Sequence, residues 1–427
     1  MADTLLSRFL RYVQIDTQSD ERSSSCPSTP GQWNLLRLLK AELDTLGAAN
    51  VRLTDAGYLM ATIPATNLPA ATKKSGARSP RIQAPRLALF AHVDTAPDFS
   101  GKDVKPIVHS NYQGGAIKFP GNPRLLLDET VAPHLLDCKG KDIITASGTT
   151  LLGADDKAGV AILMTLAETL LTQPRIPHGD IRLCFTPDEE IGRGTDKLNL
   201  KDLDADVAYT LDGGTPGEIS WETFSGDAAV VEIEGTSTHP GEAGTKGMVS
   251  ALHLAAKLLC ALPREKCAPE STTGRQGFIH PTRIEAGVDK ATIKFILRDF
   301  QMPGLEEKGR ILQGLCKGLQ AATPGARVSC KIRKQYRNMA YWLEKDMRPV
   351  DLARQAIRSI GIEPTDHPVR GGTDGSRLTE SGLPAPNLFA GMHNIHGPLE
   401  WVALQDMELS VKTCVKLAEI WGSATSR

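Results

Sequence analysis

The sequence lacks the features that mark several protein classes. Its eight cysteines are far apart and form no Cys-x-x-Cys pair, which argues against a disulfide framework and a thiolate zinc site. The formal net charge is -1 with both signs interleaved, so no basic stripe is present for nucleic acid. The longest apolar stretch, Gly159 to Leu171, contains Glu168 and is too short to span a membrane. The N-terminal segment has helical spacing and no signal-peptide pattern, so we expect a cytoplasmic protein without nucleic-acid or membrane partners.

The length of the chain and its alternating patterns predict two domains. A chain of 427 residues exceeds what one core normally fills. Short apolar runs, such as Leu87–Ala91 and Ile181–Phe185, alternate with longer helical patterns, which is typical of an α/β sheet with helices on both faces. Between Thr223 and Glu344, alternating stretches surround two helical patterns and carry no ligand-like cluster. We therefore predict a catalytic domain made of residues 1–222 and 345–427, with an α+β domain inserted at residues 223–344.

The segment 67–86 interrupts this pattern and is rich in Pro, Ser, Ala and basic residues. Because the strand pattern of Leu87–Ala91 resumes directly after it, we interpret the segment as an exposed inserted loop. A basic loop can contact an anionic partner, but a solvated loop is the more frequent case.

Five short segments rich in carboxylate or imidazole indicate metal chemistry. They are His92–Asp94, Gly153–Lys157, Asp188–Glu190, Leu211–Gly214 and Asn394–Gly397. Several of them directly follow strand patterns, and open α/β sheets place their sites at the C-terminal ends of strands. Imidazole and carboxylate together suit a pair of zinc-like divalent ions with room left for water. This combination predicts a hydrolase.

Two of these segments also have interpretations without metal. His92 and Asp94 point to the same face of an extended chain, but they also fit a turn at the end of a strand. Either Asp155 or Asp156 can be the N-cap of the helix that begins at Ala158. On the residues of these segments alone, both interpretations stay open.

The acidic run at residues 188–190 is the most informative segment. Three adjacent carboxylates repel one another, so placing them beside a buried strand end costs stability unless cations offset the charge. Pro187 interrupts the strand alternation, and both Glu189 and Glu190 can then approach one cavity. One glutamate can bind metal while the other accepts a proton from water. The alternative is a solvated acidic turn.

A series of motifs carries a family resemblance across nearly the whole chain. The motifs are, in order, HVDTAPD, LLGADDKAG, TPDEEIGRG, THPGEA, LRDF, RGGTDG, GLPAPNLFAG and HNIHG. Together they resemble the co-catalytic zinc metallopeptidase family that includes carboxypeptidase G and succinyl-diaminopimelate desuccinylase, and within it the tripeptide aminopeptidases. The resemblance implies a zinc-peptidase-like α/β catalytic domain, with a central mixed sheet between helices, and an inserted α+β lid domain. It also implies a two-metal aminopeptidase that releases the N-terminal residue of tripeptides.

The resemblance implies roles for the residues at matching positions. The implied metal ligands are His92, Asp155, Glu190, Asp212 and His396. Asp155 is expected to bridge two ions, Asp94 to orient the site and Glu189 to act as the general base. His393 competes for the last ligand position, but the family pattern places the ligand directly before the glycine of HG. Asp156 is then a supporting residue or a helix cap, and a cis peptide is expected between the two aspartates.

The resemblance also implies how substrate and cofactors bind. The implied substrate-binding residues are His239, Arg298, Arg370, Gly372 and Asp374. Without the resemblance, His239 fits a loop histidine that caps a helix near Gly247, and Arg298 fits an ion pair with Asp299. The expected cofactors are two divalent metal ions per subunit, with zinc as the expected metal. The expected partners are short peptides, tripeptides above all, and the sequence leaves a homodimer open.

Two other functions stay open. The first is a dipeptidase or acyl-amino-acid amidohydrolase of the same clan, which would differ in how it recognises the ammonium and carboxylate groups of the substrate. The second is a peptide-binding protein that kept the fold without activity. That alternative predicts damaged ligands or a missing base, and here the five implied ligands, Asp94 and Glu189 are all intact.

Overall fold

The computed structural model describes residues 3–66 and 84–424, so most of the interpreted loop at 67–86 lies outside the described residues. The helices in the described part are α1 (Leu5–Val13), α2 (Pro30–Leu46), α3 (Ala154–Thr172), α4 (Leu200–Leu203), α5 (Ala243–Lys246), α6 (Ala251–Cys260), α7 (Arg264–Cys267), α8 (Met302–Ala322), α9 (Ala340–Leu343), α10 (Arg348–Ser359), α11 (Asp374–Glu380) and α12 (Leu404–Ser423). None of these helices combines the length and apolar character that crossing a bilayer requires.

The strands of the described residues range from two to ten residues in length, and eight of them form one sheet. They are β1 (Ala49–Leu53), β2 (Leu59–Ile63), β3 (Leu87–His92), β4 (Ile107–His109), β5 (Ile117–Lys118), β6 (Leu126–Leu127), β7 (Ile143–Thr145), β8 (Ile181–Thr186), β9 (Val207–Gly213), β10 (Glu218–Ser220), β11 (Ser225–Glu234), β12 (Phe278–Ala286), β13 (Lys290–Asp299), β14 (Arg327–Tyr336), β15 (Thr365–Asp366), β16 (Asn387–Phe389), β17 (Met392–His393) and β18 (Trp401–Ala403). Short 3-10 turns lie at Pro133–Cys138, Glu189–Ile191, Pro240–Glu242 and Pro269–Ser271.

The chain divides into two compact units. Unit 1 contains the described residues up to Trp221, then Trp342–His367, and then those from Thr373 onward. Unit 2 contains Glu222–Tyr341 and Pro368–Gly372. The last of these segments differs from the predicted boundaries, which place it in the catalytic domain. Val369 explains the difference, because it forms a β-bridge with Thr223 of unit 2.

Unit 1 is built on an eight-stranded mixed sheet. The strand order is β1-β2-β8-β3-β9-β16-β10-β15. Strands β8, β3, β9 and β16 run parallel to their neighbours in this series, whereas β1, β2 and β10 join through antiparallel pairs. Every residue of β3 is buried, as expected for a strand covered on both faces. The predicted central mixed sheet between helices is confirmed.

Helix α3 lies at the centre of the unit 1 core. Its residues from Ala154 to Met164 are all buried, so the helix is covered on every side rather than amphipathic. It contacts α1, α2, α12 and the central strand β3. The helix comes closest to β9 at Gly159, where a Cβ atom would lie 2.3 Å from the Leu211 carbonyl oxygen and 2.4 Å from Asp156 Oδ1. The missing side chain therefore permits the approach of the helix start to the end of β9.

Two smaller sheets complete unit 1. One has the order β17-β18-β7-β4 and the other pairs β5 with β6. A separate apolar cluster that includes Phe119, Leu127, Leu135 and Trp401 holds these strands together. The strands β17 and β18 are joined by the loop that carries His396, so this small sheet fixes both ends of that loop.

Unit 2 is an α+β unit with its own core. Its sheet is antiparallel throughout, in the order β12-β13-β11-β14. Along β13 the buried positions alternate with more exposed ones, so one face of the sheet is apolar. That face packs against α6 and α8 in a cluster that includes Ile293, Phe295, Leu258 and Leu312.

Gly159→Ala should destabilise the protein, because the added methyl group would overlap both the β9 backbone and the Asp156 carboxylate. We expect the free energy of unfolding to fall by about 1–3 kcal/mol, the usual cost of overpacking, as measured in guanidinium chloride. Gly314→Ala in α8 is the matched control, since nothing lies within 4 Å of a Cβ atom there. Two variants of equal, undiminished stability would contradict the close packing at Gly159.

Candidate active site

The candidate site lies where three parallel strands of unit 1 end. Strand β3 ends at His92, and β9 contains Asp212 near its end. Strand β8 ends at Thr186, a few residues before Glu189 and Glu190. Because β3 pairs in parallel with both β8 and β9, the carboxyl ends of the three strands meet at one edge of the sheet. The sheet therefore brings together segments that are far apart in the sequence.

Two groups of potential metal ligands converge at this edge. In the first group, His92 Nε2 lies 2.9 Å from Asp155 Oδ1 and 3.8 Å from Asp212 Oδ1. In the second, His396 Nε2 lies 3.3 Å from Asp155 Oδ2 and 3.0 Å from Glu190 Oε2. The ligand atoms of each group lie within 4.8 Å of one another, and Asp155 belongs to both. The structure thus brings together all five residues that the sequence predicts as ligands.

The carboxylates of this cluster are buried and crowded. Burial raises the pKa of Glu190 to about 8 and that of Asp212 to about 6, and the Asp155 charge adds to both rises. Burial would also raise the pKa of Asp155, but hydrogen bonds to His396 and His92 outweigh it and lower the pKa. Glu190 Oε1 is buried and has no hydrogen-bond partner among the described residues. Buried oxygen and nitrogen atoms whose lone pairs are not all used in hydrogen bonds are suitable ligands for a divalent cation.

The two histidines of the cluster respond to this negative charge. Burial would lower the pKa of His396, but hydrogen bonds to Asp155 and Glu190 raise it to about 11. In the same way burial would lower the pKa of His92, and its hydrogen bonds to neighbouring aspartates raise it instead. The carboxylates therefore draw positive charge to this part of the structure, whether as protons or as metal ions.

His393, the alternative candidate for the last ligand position, packs between two aromatic rings instead. Its ring stacks on Trp401 at a centroid distance of 4.3 Å and on His134 at 5.1 Å. Burial among these groups lowers the pKa of His393 to about 3. Within the described residues it belongs to neither ligand group, whereas His396 belongs to the second.

The start of α3 separates the roles of Asp155 and Asp156. Neither residue has helical dihedral angles, and the peptide bond between them is cis, as the resemblance predicts. Asp156 Oδ1 accepts a hydrogen bond from the Gly159 N–H at 3.1 Å, and Oδ2 accepts one from the His92 N–H at 3.1 Å. The helix-cap interpretation therefore applies to Asp156. The Asp155 carboxylate instead faces the two histidines.

The comparison of this chain with known proteins identifies its family. The sequence profile of peptidase family M20/M25/M40 matches residues 146–420. The chain belongs to this family. A Peptidase T from Geobacillus thermodenitrificans is 40% identical over 426 residues, which cover 100% of both chains. A Peptidase T from Brevibacillus brevis is 41% identical over 421 residues, which cover 99% of both. The resemblance drawn from the motifs is confirmed.

Solved structures agree on the M20 fold. A tripeptidase from Staphylococcus aureus has a TM-score of 0.74 and 22% identity, with 98% of each chain covered. The aminopeptidase PepT from Bacillus cereus has a TM-score of 0.69 and 23% identity, again with 98% of each chain covered. A dinuclear metal binding peptidase of the M20 family from Bacillus subtilis has a TM-score of 0.62 and 14% identity, covering 97% of this chain and 96% of that one. At these identities the likeness concerns the fold alone.

Asp94 supports the turn that carries two glutamates of this M20 site. Its two carboxylate oxygens accept the backbone N–H groups of Glu189 at 3.0 Å and Glu190 at 3.2 Å. Asp94 Oδ1 also lies 3.4 Å from Nδ1 of His92. Asp94 is completely buried. It therefore connects His92, a candidate ligand, to the acidic turn and holds both in place.

Asp188 is a member of the acidic run whose role the sequence did not reveal. Its carboxylate accepts hydrogen bonds from the Ser28 N–H at 2.8 Å, the Ser28 hydroxyl at 2.5 Å and Gln32 Nε2 at 2.7 Å. The residue has a left-handed backbone conformation with φ 58°, and it is completely buried. Asp188 thus anchors the turn to the start of α2, so the run is not a solvated acidic turn. A pairing across 160 residues leaves no local signal in the sequence.

Glu189 differs from its neighbour in its surroundings. Within the described residues it belongs to neither ligand group, whereas Glu190 belongs to the second. Burial raises the pKa of Glu189 well above its usual range, and the carboxylates of Asp374, Asp212 and Glu190 add to the rise. Asp374 itself is buried, accepts a hydrogen bond from the Thr186 hydroxyl at 2.8 Å, and has its pKa raised by burial to about 7. Its predicted contact with substrate stays a prediction.

His239 and Arg298 lie in unit 2. His239 is exposed, and its Nδ1 accepts a hydrogen bond from the Gly241 N–H at 3.2 Å, so it caps the 3-10 turn Pro240–Glu242. Arg298 Nη1 donates to Gln335 Oε1 at 2.9 Å, while the neighbouring Asp299 is paired with Lys308. The substrate roles of both residues stay predictions.

Arg370 and Gly372 also belong to unit 2 and are used there in packing. Arg370 Nη1 donates to the carbonyl oxygens of Gly274 and Gln276, each at 2.7 Å. A Cβ atom at Gly372 would lie 2.6 Å from the Tyr336 ring, so only glycine fits. These contacts explain why arginine and glycine occupy the two positions without invoking a ligand. The predicted role of Arg370 and Gly372 in substrate binding stays a prediction.

Proposed function

We propose that the protein is a two-metal aminopeptidase that removes the N-terminal residue from tripeptides. The observation that carries this proposal is the pair of ligand groups that share Asp155. The substrate class is supported by the two Peptidase T relatives, which are 40% and 41% identical over essentially the whole chain. A cytoplasmic location is part of the same proposal and is supported by the eight scattered cysteines, whose spacing fits reduced thiols rather than a disulfide framework.

We assign three residues to each of two metal ions. His92, Asp155 and Asp212 would hold one ion, and Asp155, Glu190 and His396 would hold the other. Zinc is the metal we propose, because it binds mixed imidazole and carboxylate sets and leaves a position open in catalytic sites. When bound, two divalent ions supply the positive charge that acidifies a water molecule and polarises a carbonyl group.

Glu189 is the proposed general base. It lies beside the second ligand group without belonging to it, and its backbone N–H is held by Asp94. Its carboxylate would accept a proton from the attacking water and later deliver it to the leaving amine. This division of labour requires one glutamate that binds metal and one that stays free, and Glu190 and Glu189 satisfy it.

His239 is the proposed hydrogen-bond donor to the substrate. Because Nδ1 accepts the Gly241 N–H, the neutral ring carries its hydrogen on Nε2. An exposed Nε2–H group is then available to donate to the scissile carbonyl oxygen as negative charge develops on it. Arg298 is the proposed partner for the C-terminal carboxylate of the peptide, since a guanidinium group binds carboxylates well.

Removing the metal should abolish hydrolysis while leaving the fold in place, because the ligands lie at strand ends, at the start of α3 and in turns, and none belongs to the apolar core. The release of free amino acids from di-, tri- and tetrapeptides would be measured with a chelator, without it, and after adding zinc back. Circular dichroism would report on the fold. A full rate in the chelated protein would contradict the metal proposal, and faster cleavage of dipeptides than of tripeptides would favour the dipeptidase alternative.

Glu189→Gln should keep the bound metal and lose turnover, because the amide has nearly the same shape but cannot accept the proton. We expect kcat to fall by at least about 10²-fold. Glu190→Gln should instead weaken zinc binding, since Glu190 belongs to a ligand group. Zinc content and steady-state kinetics of the two variants would be compared directly. The opposite pattern would mean that the two glutamates have exchanged roles.

His239→Ala should lower kcat by about 10²–10³-fold, the usual effect of losing one donor to a developing oxyanion, with zinc content unchanged. His253→Ala is the matched control, because it removes another exposed histidine of unit 2. Rates would be measured at saturating tripeptide. Equal rates for the two variants would remove His239 from the mechanism.

A further inference from the structure

Glu400 is a buried carboxylate at the start of α3. Only 1% of its surface is exposed. Its Oε2 accepts the backbone N–H groups of Leu152 and Gly153, both at 2.7 Å. Its Oε1 accepts the backbone N–H of Asp155 at 3.0 Å. Three amide groups at the start of α3 therefore bind a single side chain, which lies near the other end of the sequence.

No local side chain satisfies these amides. Gly153, which directly precedes α3, has φ 80° and no side chain. The carboxylate of Asp155 faces His92 and His396, and that of Asp156 accepts the N–H groups of His92 and Gly159. Buried backbone amides need hydrogen-bond acceptors. Glu400 supplies the missing acceptors.

The consequence of this arrangement concerns Asp155. Its backbone N–H is one of the three that Glu400 binds, and its carboxylate faces His92 and His396. Glu400 therefore fixes the backbone from which that carboxylate projects. Glu400 also lies in the same loop as His396, between β17 and β18. Its hydrogen bonds therefore join the segment of the shared ligand to the loop of another ligand.

We propose that Glu400 is a positioning residue for the metal site. It holds the backbone of residues 152–155 so that the Asp155 carboxylate faces both ligand groups, and it keeps the His396 loop in register with that segment. The inference rests on the proposed two-metal function, since it concerns how the ligands of both ions are held. The Glu400 carboxylate binds backbone amides and no ligand side chain. It nevertheless holds the two segments that carry the proposed ligands Asp155 and His396.

The geometry requires a carboxylate at this position. Both Glu400 oxygens accept backbone N–H groups, whereas a glutamine has one acceptor oxygen and a donor NH₂ group. In Glu400→Gln one of the two oxygens is replaced by a donor that faces an amide hydrogen. The variant therefore leaves at least one buried amide without an acceptor, and the segment must move to relieve it.

The test is a zinc titration against a competing chelator, run on wild type, Glu400→Gln and Asp406→Asn. Asp406 is the matched control, because it is also 1% exposed and accepts a hydrogen bond from Lys141 Nζ at 2.7 Å rather than from the backbone of the Asp155 segment. Loss of groups that orient metal ligands typically costs about 10–100-fold in affinity. We expect Glu400→Gln to weaken both zinc equivalents by at least about 10-fold, and Asp406→Asn to stay within about threefold of wild type.

Kinetics provide a second readout. At saturating zinc, Glu400→Gln should lower kcat and leave KM unchanged, because the ligands and not the peptide contacts are displaced. Glu400→Asp keeps the charge and both oxygens on a shorter side chain, so it should recover part of the zinc affinity. A wild-type protein that binds no zinc would refute the two-metal function itself, which separates that failure from failure of the present inference.

Three results would overturn the positioning role of Glu400. The first is wild-type zinc affinity in folded Glu400→Gln, with folding checked by circular dichroism. The second is an equal loss of affinity in Asp406→Asn, which would indicate a general effect of disturbing this part of unit 1. The third is failure of both Glu400→Gln and Glu400→Asp to fold, since the carboxylate would then serve the fold as a whole.

Discussion

The carboxylate of Asp155 lies between two imidazoles, and hydrogen bonds hold the backbone that carries it. One of its oxygens is 2.9 Å from His92 and the other is 3.3 Å from His396. Glu400 binds the backbone N–H of Asp155 and those of Leu152 and Gly153, and the capping role falls to Asp156. Both ligand groups depend on this one residue, so the chemistry of the site depends on its orientation.

The carboxylates around the site fall into two classes that sequence composition does not distinguish. Asp94, Asp156, Asp188 and Glu400 each accept hydrogen bonds from backbone amides, which satisfy their buried oxygen atoms. Asp155, Asp212 and Glu190 instead face histidines and one another, and burial together with this crowding raises the pKa of Glu190 and Asp212. The first class holds backbone segments in place. The second class provides the acceptors that a cation would use.

The inserted unit folds around a separate apolar core. Its antiparallel sheet, with α6 and α8 on one face, follows directly from the alternation of apolar residues in β11 and β13. The segment Pro368–Gly372 joins this unit because of tertiary contacts alone: a β-bridge to Thr223 and the packing of Gly372 on Tyr336. The first residues of the RGGTDG motif therefore pack within unit 2, whereas its Asp374 begins α11 in unit 1.

The α/β class and the α+β insertion were predicted from the sequence by itself, because periodicity is a local property of the chain. The five residues that converge as candidate ligands were implied by the family resemblance that the motifs of the sequence carry. Only the tertiary structure decided the role of each acidic residue around the site. Asp188 turns to Ser28 and Gln32, Asp156 caps α3, and Glu400 reaches back to the amides before that helix. These partners are set by packing between distant segments, and a carboxylate takes its role from the donors that surround it.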